Sequence, residues 1–153
     1  MIIHVHEAAK KADSGEVIIA TPDKKIVDLI ENFGWKAIMT ADDHETGTDR
    51  VFEVFKKTLN SNAQIIVNLQ GDMPNIQPLD IKNLISYMNF GKCEIGTLAS
   101  EFTSDKEIEN QNIVKVLVKK KLKIGMFAEA LDFVRKKPVA DNQIYHHIGI
   151  YAF

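Results

Sequence analysis

Two short segments carry the residue types most able to do chemistry. In Asn68-Leu69-Gln70-Gly71-Asp72-Met73-Pro74, a glycine turn stiffened by proline displays a carboxylate. A carboxylate so placed can bind a hard cation such as Mg²⁺ that also touches substrate phosphates. An Asp beside a Gly also shapes a turn with no ligand, so both readings stand for Asp72 alone. In Ala41-Asp42-Asp43-His44-Glu45-Thr46-Gly47-Thr48-Asp49-Arg50, Gly47 lets backbone approach a ligand closely and Thr48 or Asp49 can cap a following helix. Arg50 offers a planar fork for carbonyl or phosphate oxygens. The commoner reading of such a loop, from spacing alone, is a capped helix start with a surface arginine. His4 and His6, two apart on a helix, point in different directions and argue against a shared metal site. Cys93 has no cationic or helix-start neighbour to activate it and reads as a buried, inert thiol, and Trp35 reads as core.

The elements that must position these segments follow from hydrophobic periodicity. Ile2, Val5 and Ala9 predict an opening helix closed by Asp13-Ser14-Gly15. Glu16 to Ala20 predicts a strand, and Ile26 to Phe33 a helix ending at Gly34. Trp35 to Met39 is the next strand, Thr40 to Thr48 a loop, and Asp49 to Leu59 a helix burying Val51, Phe52, Val54 and Phe55. Gln64 to Leu69 is the strongest strand signal, because consecutive β-branched residues leave neither face polar, and it is expected to lie centrally. A helix over Leu79 to Met88, strands at Ile95 to Ala99 and Ile113 to Val118, a helix over Met126 to Val134 and a last strand over His147 to Phe153 complete the chain. Strands alternating with helices predict a single α/β domain over residues 1–153, a three-layer α/β/α sandwich around a mainly parallel, mixed sheet. Asp72 then falls at the carboxyl end of a strand, where open α/β sheets form their ligand crevice.

Composition excludes several classes. The 153 residues carry 19 Lys and Arg against 21 Asp and Glu, a formal net charge of −2 that gives no general attraction to nucleic acid. Hydrophobic residues at 45% and charged residues at 26% are the proportions of a packed globular domain. Lys119-Lys120-Lys121 reads as a solvated turn. The single Cys93 leaves no disulfide within the chain and fits a reducing compartment. No apolar run approaches membrane-spanning length and no secretory pattern opens the chain, so the expectation is a cytoplasmic protein with no membrane partner. No P-loop or Rossmann glycine fingerprint is present.

Taken together, Thr46-Gly47-Thr48-Asp49-Arg50, the Asn68 to Pro74 segment and His146-His147-Ile148-Gly149-Ile150-Tyr151-Ala152-Phe153 resemble the cytidylyltransferases that activate 3-deoxy-manno-octulosonate (Kdo). The matches run in the family's order across most of the chain. The resemblance implies a nucleotide-diphospho-sugar transferase-like fold and transfer of CMP from CTP to the anomeric hydroxyl of Kdo, releasing pyrophosphate, for lipopolysaccharide assembly. By the same resemblance Gly47, Thr48 and Arg50 would surround the nucleotide, and Gln70 would face nucleotide or sugar. Asp72 would be the catalytic residue that holds Mg²⁺, His147 and Tyr151 would contact Kdo, and the protein would be a homodimer. Departures accompany the matches. Family members open with a strand and a basic phosphate-gripping loop, and they continue past the Tyr151 strand to a second metal-binding aspartate. Relative to them this sequence is expected to be an incomplete domain, with unpaired strand edges and a gap in the sheet. Met73 stands where the family usually has Glu, His146 where Arg or Lys is usual, and Met126-Phe127-Ala128-Glu129 lacks the usual Ser-Arg. Non-catalytic remnants and enzymes for a related acid sugar are the rival readings.

Overall fold

A computed structural model describes residues 1–58, 62–90, 93–138 and 143–153. The first half alternates helix and strand: α1 (Ile2–Lys11), β1 (Ile19–Thr21), α2 (Lys24–Asn32), β2 (Ala37–Met39), α3 (Gly47–Lys57), β3 (Val67–Asn68) and α4 (Pro78–Phe90). The second half is mostly strand: β4 (Gly96–Ser100), α5 (Asp105–Glu109), β5 (Lys115–Val118), β6 (Ala130–Val134) and β7 (Gln143–Ala152).

Local chemistry explains the helix ends. Asp23 caps α2 by accepting from the Lys25 amide at 2.8 Å. Gly34 follows α2 with φ of 71°, a left-handed conformation suited to glycine, and its amide bonds the Glu31 carbonyl at 2.8 Å. α3 begins with a capping box in which the Thr46 hydroxyl accepts from the Asp49 amide and the Asp49 carboxylate accepts from the Thr46 amide.

The strands form two sheets. β1 and β2 pair in parallel, while the second sheet runs β3-β7-β5-β6 with β4 also paired to β7, every pairing antiparallel. The sheet content is therefore mixed, as expected, but among the described pairings antiparallel ones prevail over the parallel majority anticipated. The physical reason is the long β7, which carries β3 and β5 along one edge and β4 along the other, and β5 then turns back through β6. Only the helix-linked first half has the crossover connection that parallel pairing requires.

The layers are legible from β3 and β7. Val67 with Ile150 and Ala152 belongs to a core that includes Ala12 of the α1 end and Ile81 and Leu84 of α4. Asn68 points to the opposite face and bonds Thr48 of α3. Helices thus cover both faces. Ile30, Leu84 and Ile150 are fully buried, each worth about 1.5–3 kcal/mol relative to exposure.

Several sequence expectations shift. Met126 to Val134 is not a helix: Lys123 to Glu129 is irregular and Ala130–Val134 is β6, held by its ladder to β5. Between the strands expected at Ile95–Ala99 and Ile113–Val118, where no element was predicted, Asp105–Glu109 forms the short helix α5. The β3 segment lies at the end of its sheet rather than centrally, because β7 pairs one of its edges and no described strand pairs the other. The predicted α3 span reached Leu59, which lies outside the described residues. Phe52 is exposed, with the Lys56 ammonium 4.7 Å above its ring, instead of facing the core. Cys93 is exposed, not buried. Trp35 is half-buried, stacked between His6 at 4.0 Å and Phe33 at 4.8 Å.

Candidate functional site

The site gathers on the α3-facing side of the sheet, where the carboxyl ends of β2 and β3 meet the first turn of α3. Asn68, at the end of β3 and 4% exposed, donates through Nδ2 to the Thr48 hydroxyl at 3.2 Å. A Cβ on Gly47 would stand 3.8 Å from the same amide nitrogen, so the helix start lies directly against the strand end. The amide groups of that first turn, with the positive end of the helix dipole, form a surface suited to anionic groups.

Arg50 has a positioning role in the first instance. Its guanidinium donates to the Thr40 hydroxyl and, at 2.7 Å, to the Ala41 carbonyl, tying α3 to the end of β2. A second tie lies one turn further on. Glu53 accepts from the Ala41 amide at 3.0 Å, pairs with Lys57 at 2.6 Å and hydrogen-bonds His44. Lys57 above all, then His44 and the Ala41 amide, pull the Glu53 carboxyl down to about 2. The periodic pattern of α3 gave no hint of this cluster, since its members come from a loop and two turns of one helix.

The register of β7 sets the remaining side chains. Asn68 lies opposite Tyr151, and continuing the antiparallel register brings Gln70 opposite Gly149. The Gln70 amide packs against Gly149: a Cβ there would lie in van der Waals contact with Gln70 Nε2 at 3.4 Å, so a larger side chain would press on the amide. His147, Gly149 and Tyr151 alternate onto this face, while Ile148, Ile150 and Ala152 turn to the core. The rings of His147 and Tyr151 lie 5.4 Å apart, and Phe133 meets His147 edge-on at 5.0 Å. His147 Nε2 is 3.0 Å from the Thr97 hydroxyl, which is also 2.6 Å from the Ile150 carbonyl. Burial and then the neighbouring His146 hold His147 below the usual histidine pKa, favouring a neutral ring. Thr97 is a site neighbour that sequence reading missed, because only the β4–β7 pairing brings it to His147.

Asp72 is exposed in the turn after β3 and, with Gly47, Arg50 and Gln70, borders a cleft of about 1300 Å³. Among the described residues no group of three or more His, Cys, Asp or Glu could hold a metal by itself. One exposed carboxylate does suit Mg²⁺ in the mode where substrate phosphates and water complete its shell. The structure therefore brings Gly47, Thr48, Gln70, His147 and Tyr151 to one face, with Asp72 at its rim and Arg50 bracing it from beside β2. His146, the neighbour of His147 in sequence, turns away and stacks on Phe102 at 5.8 Å.

Comparison with known proteins gives this arrangement its context. The cytidylyltransferase family model matches residues 1–153. A 3-deoxy-manno-octulosonate cytidylyltransferase of Brucella canis is 38% identical over the whole chain, which covers 61% of that protein. 3-Deoxy-manno-octulosonate cytidylyltransferase 2 of Actinobacillus pleuropneumoniae is 40% identical, with 64% of it covered. Among solved structures, a CMP:2-keto-3-deoxy-manno-octonic acid synthetase complexed with CTP superposes with a TM-score of 0.83 at 36% identity, across 99% of this chain and 62% of that one. The chain thus spans about three fifths of the length of the relatives it matches.

Proposed function

The chain belongs to the cytidylyltransferase family, and from that premise we propose that it acts in CMP transfer from CTP to the anomeric hydroxyl of Kdo. One observation carries the reading: the α3 start, the β3 carboxyl end and the His147–Gly149–Tyr151 face adjoin, with the Gln70 amide seated over Gly149 between them. The relatives' names supply the substrate class, since they are Kdo cytidylyltransferases and a synthetase complexed with CTP.

In the proposed reaction the sugar's anomeric oxygen attacks the α-phosphorus of CTP and loses its proton to solvent. The bond from that phosphorus to the β-phosphate oxygen breaks, and pyrophosphate leaves with the bonding pair. The product is CMP-Kdo, the activated sugar for lipopolysaccharide assembly, and the compartment is the cytoplasm. Gly47 and Thr48 would receive the nucleotide beside backbone amides, while Gln70 would contact nucleotide or sugar from its fixed seat. Arg50 would hold the α3 start in register with the β2 end and present its remaining N–H groups toward the nucleotide. His147, neutral and restrained by Thr97, and Tyr151 would line the sugar side. Asp72 would hold Mg²⁺, which when bound neutralises charge on the phosphates. Positioning and electrostatics would supply the rate, with no covalent protein intermediate.

Pyrophosphate release from CTP, Kdo and Mg²⁺ tests the reading. Turnover that falls about 10²-fold or more in Asp72→Asn supports it. Absence of turnover above background in the wild-type chain would place it with the non-catalytic members of its fold. Preference for neuraminic acid over Kdo would move the assignment to another acid sugar.

A further inference from the structure

β4 meets β7 with a break in register. Leu98 lies opposite Ile148 and Thr97 opposite Tyr151, so β7 advances through Gly149 and Ile150 while β4 steps directly from Leu98 to Thr97. Such a bulge leaves backbone groups off the ladder. The Thr97 hydroxyl fills the break, 2.6 Å from the Ile150 carbonyl, 3.1 Å from the Ile148 carbonyl and 3.0 Å from His147 Nε2. A carbonyl oxygen can only accept, and a hydroxyl has one hydrogen to give. At 2.6 Å that hydrogen must lie between the hydroxyl and the Ile150 carbonyl, because two oxygens with only lone pairs between them repel at this distance. Toward His147 the hydroxyl oxygen can therefore only accept. Nε2 is the ring nitrogen that carries hydrogen.

The other nitrogen is left open. Burial, and then His146, favour the neutral ring, which has one donor and one acceptor, so Nδ1 is the acceptor. His147 Nδ1 makes no hydrogen bond among the described residues, yet the fully buried side-chain nitrogen without a partner there is His6 Nδ1, so His147 Nδ1 is open to solvent. Phe133, edge-on at 5.0 Å, and Tyr151, at 5.4 Å, flank the ring and hold its orientation. We propose that Thr97 is a positioning residue that holds His147 as the Nε2–H tautomer, so that Nδ1 is the atom offered to substrate and accepts a hydrogen bond from a hydroxyl of the acid sugar.

The inference rests on the reading that His147 lines the sugar side, and it narrows what His147 recognises. A lone pair on Nδ1 takes an O–H donor. An ionised carboxylate has no hydrogen to give and is repelled by that lone pair, so His147 faces a hydroxyl of the sugar and not its acid group. Removing the Thr97 hydroxyl takes away the acceptor for Nε2–H. The Nδ1–H form, which offers the sugar a donor in place of an acceptor, then becomes competitive. Thr97 acts through His147 and not on substrate itself.

Nitrogen NMR of isotope-labelled histidine rings, recorded at about pH 8 where His147 is neutral, reads the tautomer directly, the His147 signals being those lost in His147→Gln. The wild-type chain is expected to carry hydrogen on Nε2 alone. Thr97→Val should give a mixture of both tautomers and raise KM for Kdo about five- to tenfold, while KM for CTP stays within about twofold. Thr97→Ser, which keeps the hydroxyl, should restore the single tautomer and the lower KM. Kdo added with CTP present and Mg²⁺ withheld should move the Nδ1 resonance and leave Nε2 nearly in place. Should Thr97→Val fail to fold, the wild-type tautomer and the Nδ1 shift decide. A wild-type ring with hydrogen on Nδ1, a tautomer indifferent to Thr97→Val, or no Nδ1 shift with Kdo would each overturn the proposal. Turnover of Kdo without the Nδ1 shift would overturn it and leave the proposed function standing, and the shift without turnover would do the reverse.

Discussion

At Gly149 one added methyl group reaches the Gln70 amide, and a branched side chain would have to displace it. Gly149→Val is therefore expected to lower CMP transfer by up to about 10²-fold, as small misplacements of a positioning group do, while leaving the urea midpoint nearly unchanged. Steady-state kinetics beside equilibrium unfolding separates the two effects. His6 offers a second prediction. It is 3% exposed, stacks on Trp35, and has no hydrogen-bond partner for Nδ1 among the described residues. Burial first, then Lys10, lower its pKa, with Glu7 opposing, and His147 is lowered in the same direction. The unfolded chain then binds more protons than the folded one between the lowered values and about 6.5. Stability is fully present above about 6.5 and falls as the pH drops through that window. Urea midpoints measured across it should decline, and His6→Phe, which keeps the ring stacked but cannot be protonated, should flatten the decline. The site residues themselves were readable as motifs. Thr97 was not, since nothing in its neighbours along the chain marks it as the partner of His147.

Among the elements, α3 forms where the sequence predicts a helix but begins two residues earlier, at Gly47, because its N-cap is Thr46 and not the expected Thr48 or Asp49. Thr46 and Asp49 stand three apart and form the capping box, and Val54 is buried by the helical period. Thr46→Ala should cost about 1 kcal/mol in urea unfolding, the usual worth of such a cap, and should loosen the turn that carries Gly47 and Thr48. Phe52 was misassigned to the buried side because a run of large apolar residues does not say which of them a neighbouring layer will cover. The misreading of Met126 to Val134 has a related cause. A short apolar stretch has no period strong enough to separate helix from strand, and the ladder to β5 decides for strand. The β7 signal over His147 to Phe153 was correct in type and short in extent, because its first residues, from Gln143, owe their conformation to pairing with β5.

At the scale of the molecule, the two sheets are joined among the described residues by helices and not by strand pairing, so their stabilities should differ. Amide exchange is expected to be faster in β1 and β2 than at His146, Tyr151 and Ala152 of β7, which have strand neighbours on both edges, and hydrogen-exchange NMR reads this directly. No helix among the described residues is long and apolar enough to cross a membrane. From the sequence by itself came the α/β class, which depends on periodicity and residue types at short spacing, and three candidate-site segments whose resemblance pointed to the family. Tertiary structure alone decided the antiparallel balance of the second sheet, the packing of Gln70 against Gly149 and the approach of Thr97 to His147. Each of these is a pairing between segments distant along the chain, and strand register is set by which edges are free and which faces must be buried, not by local sequence.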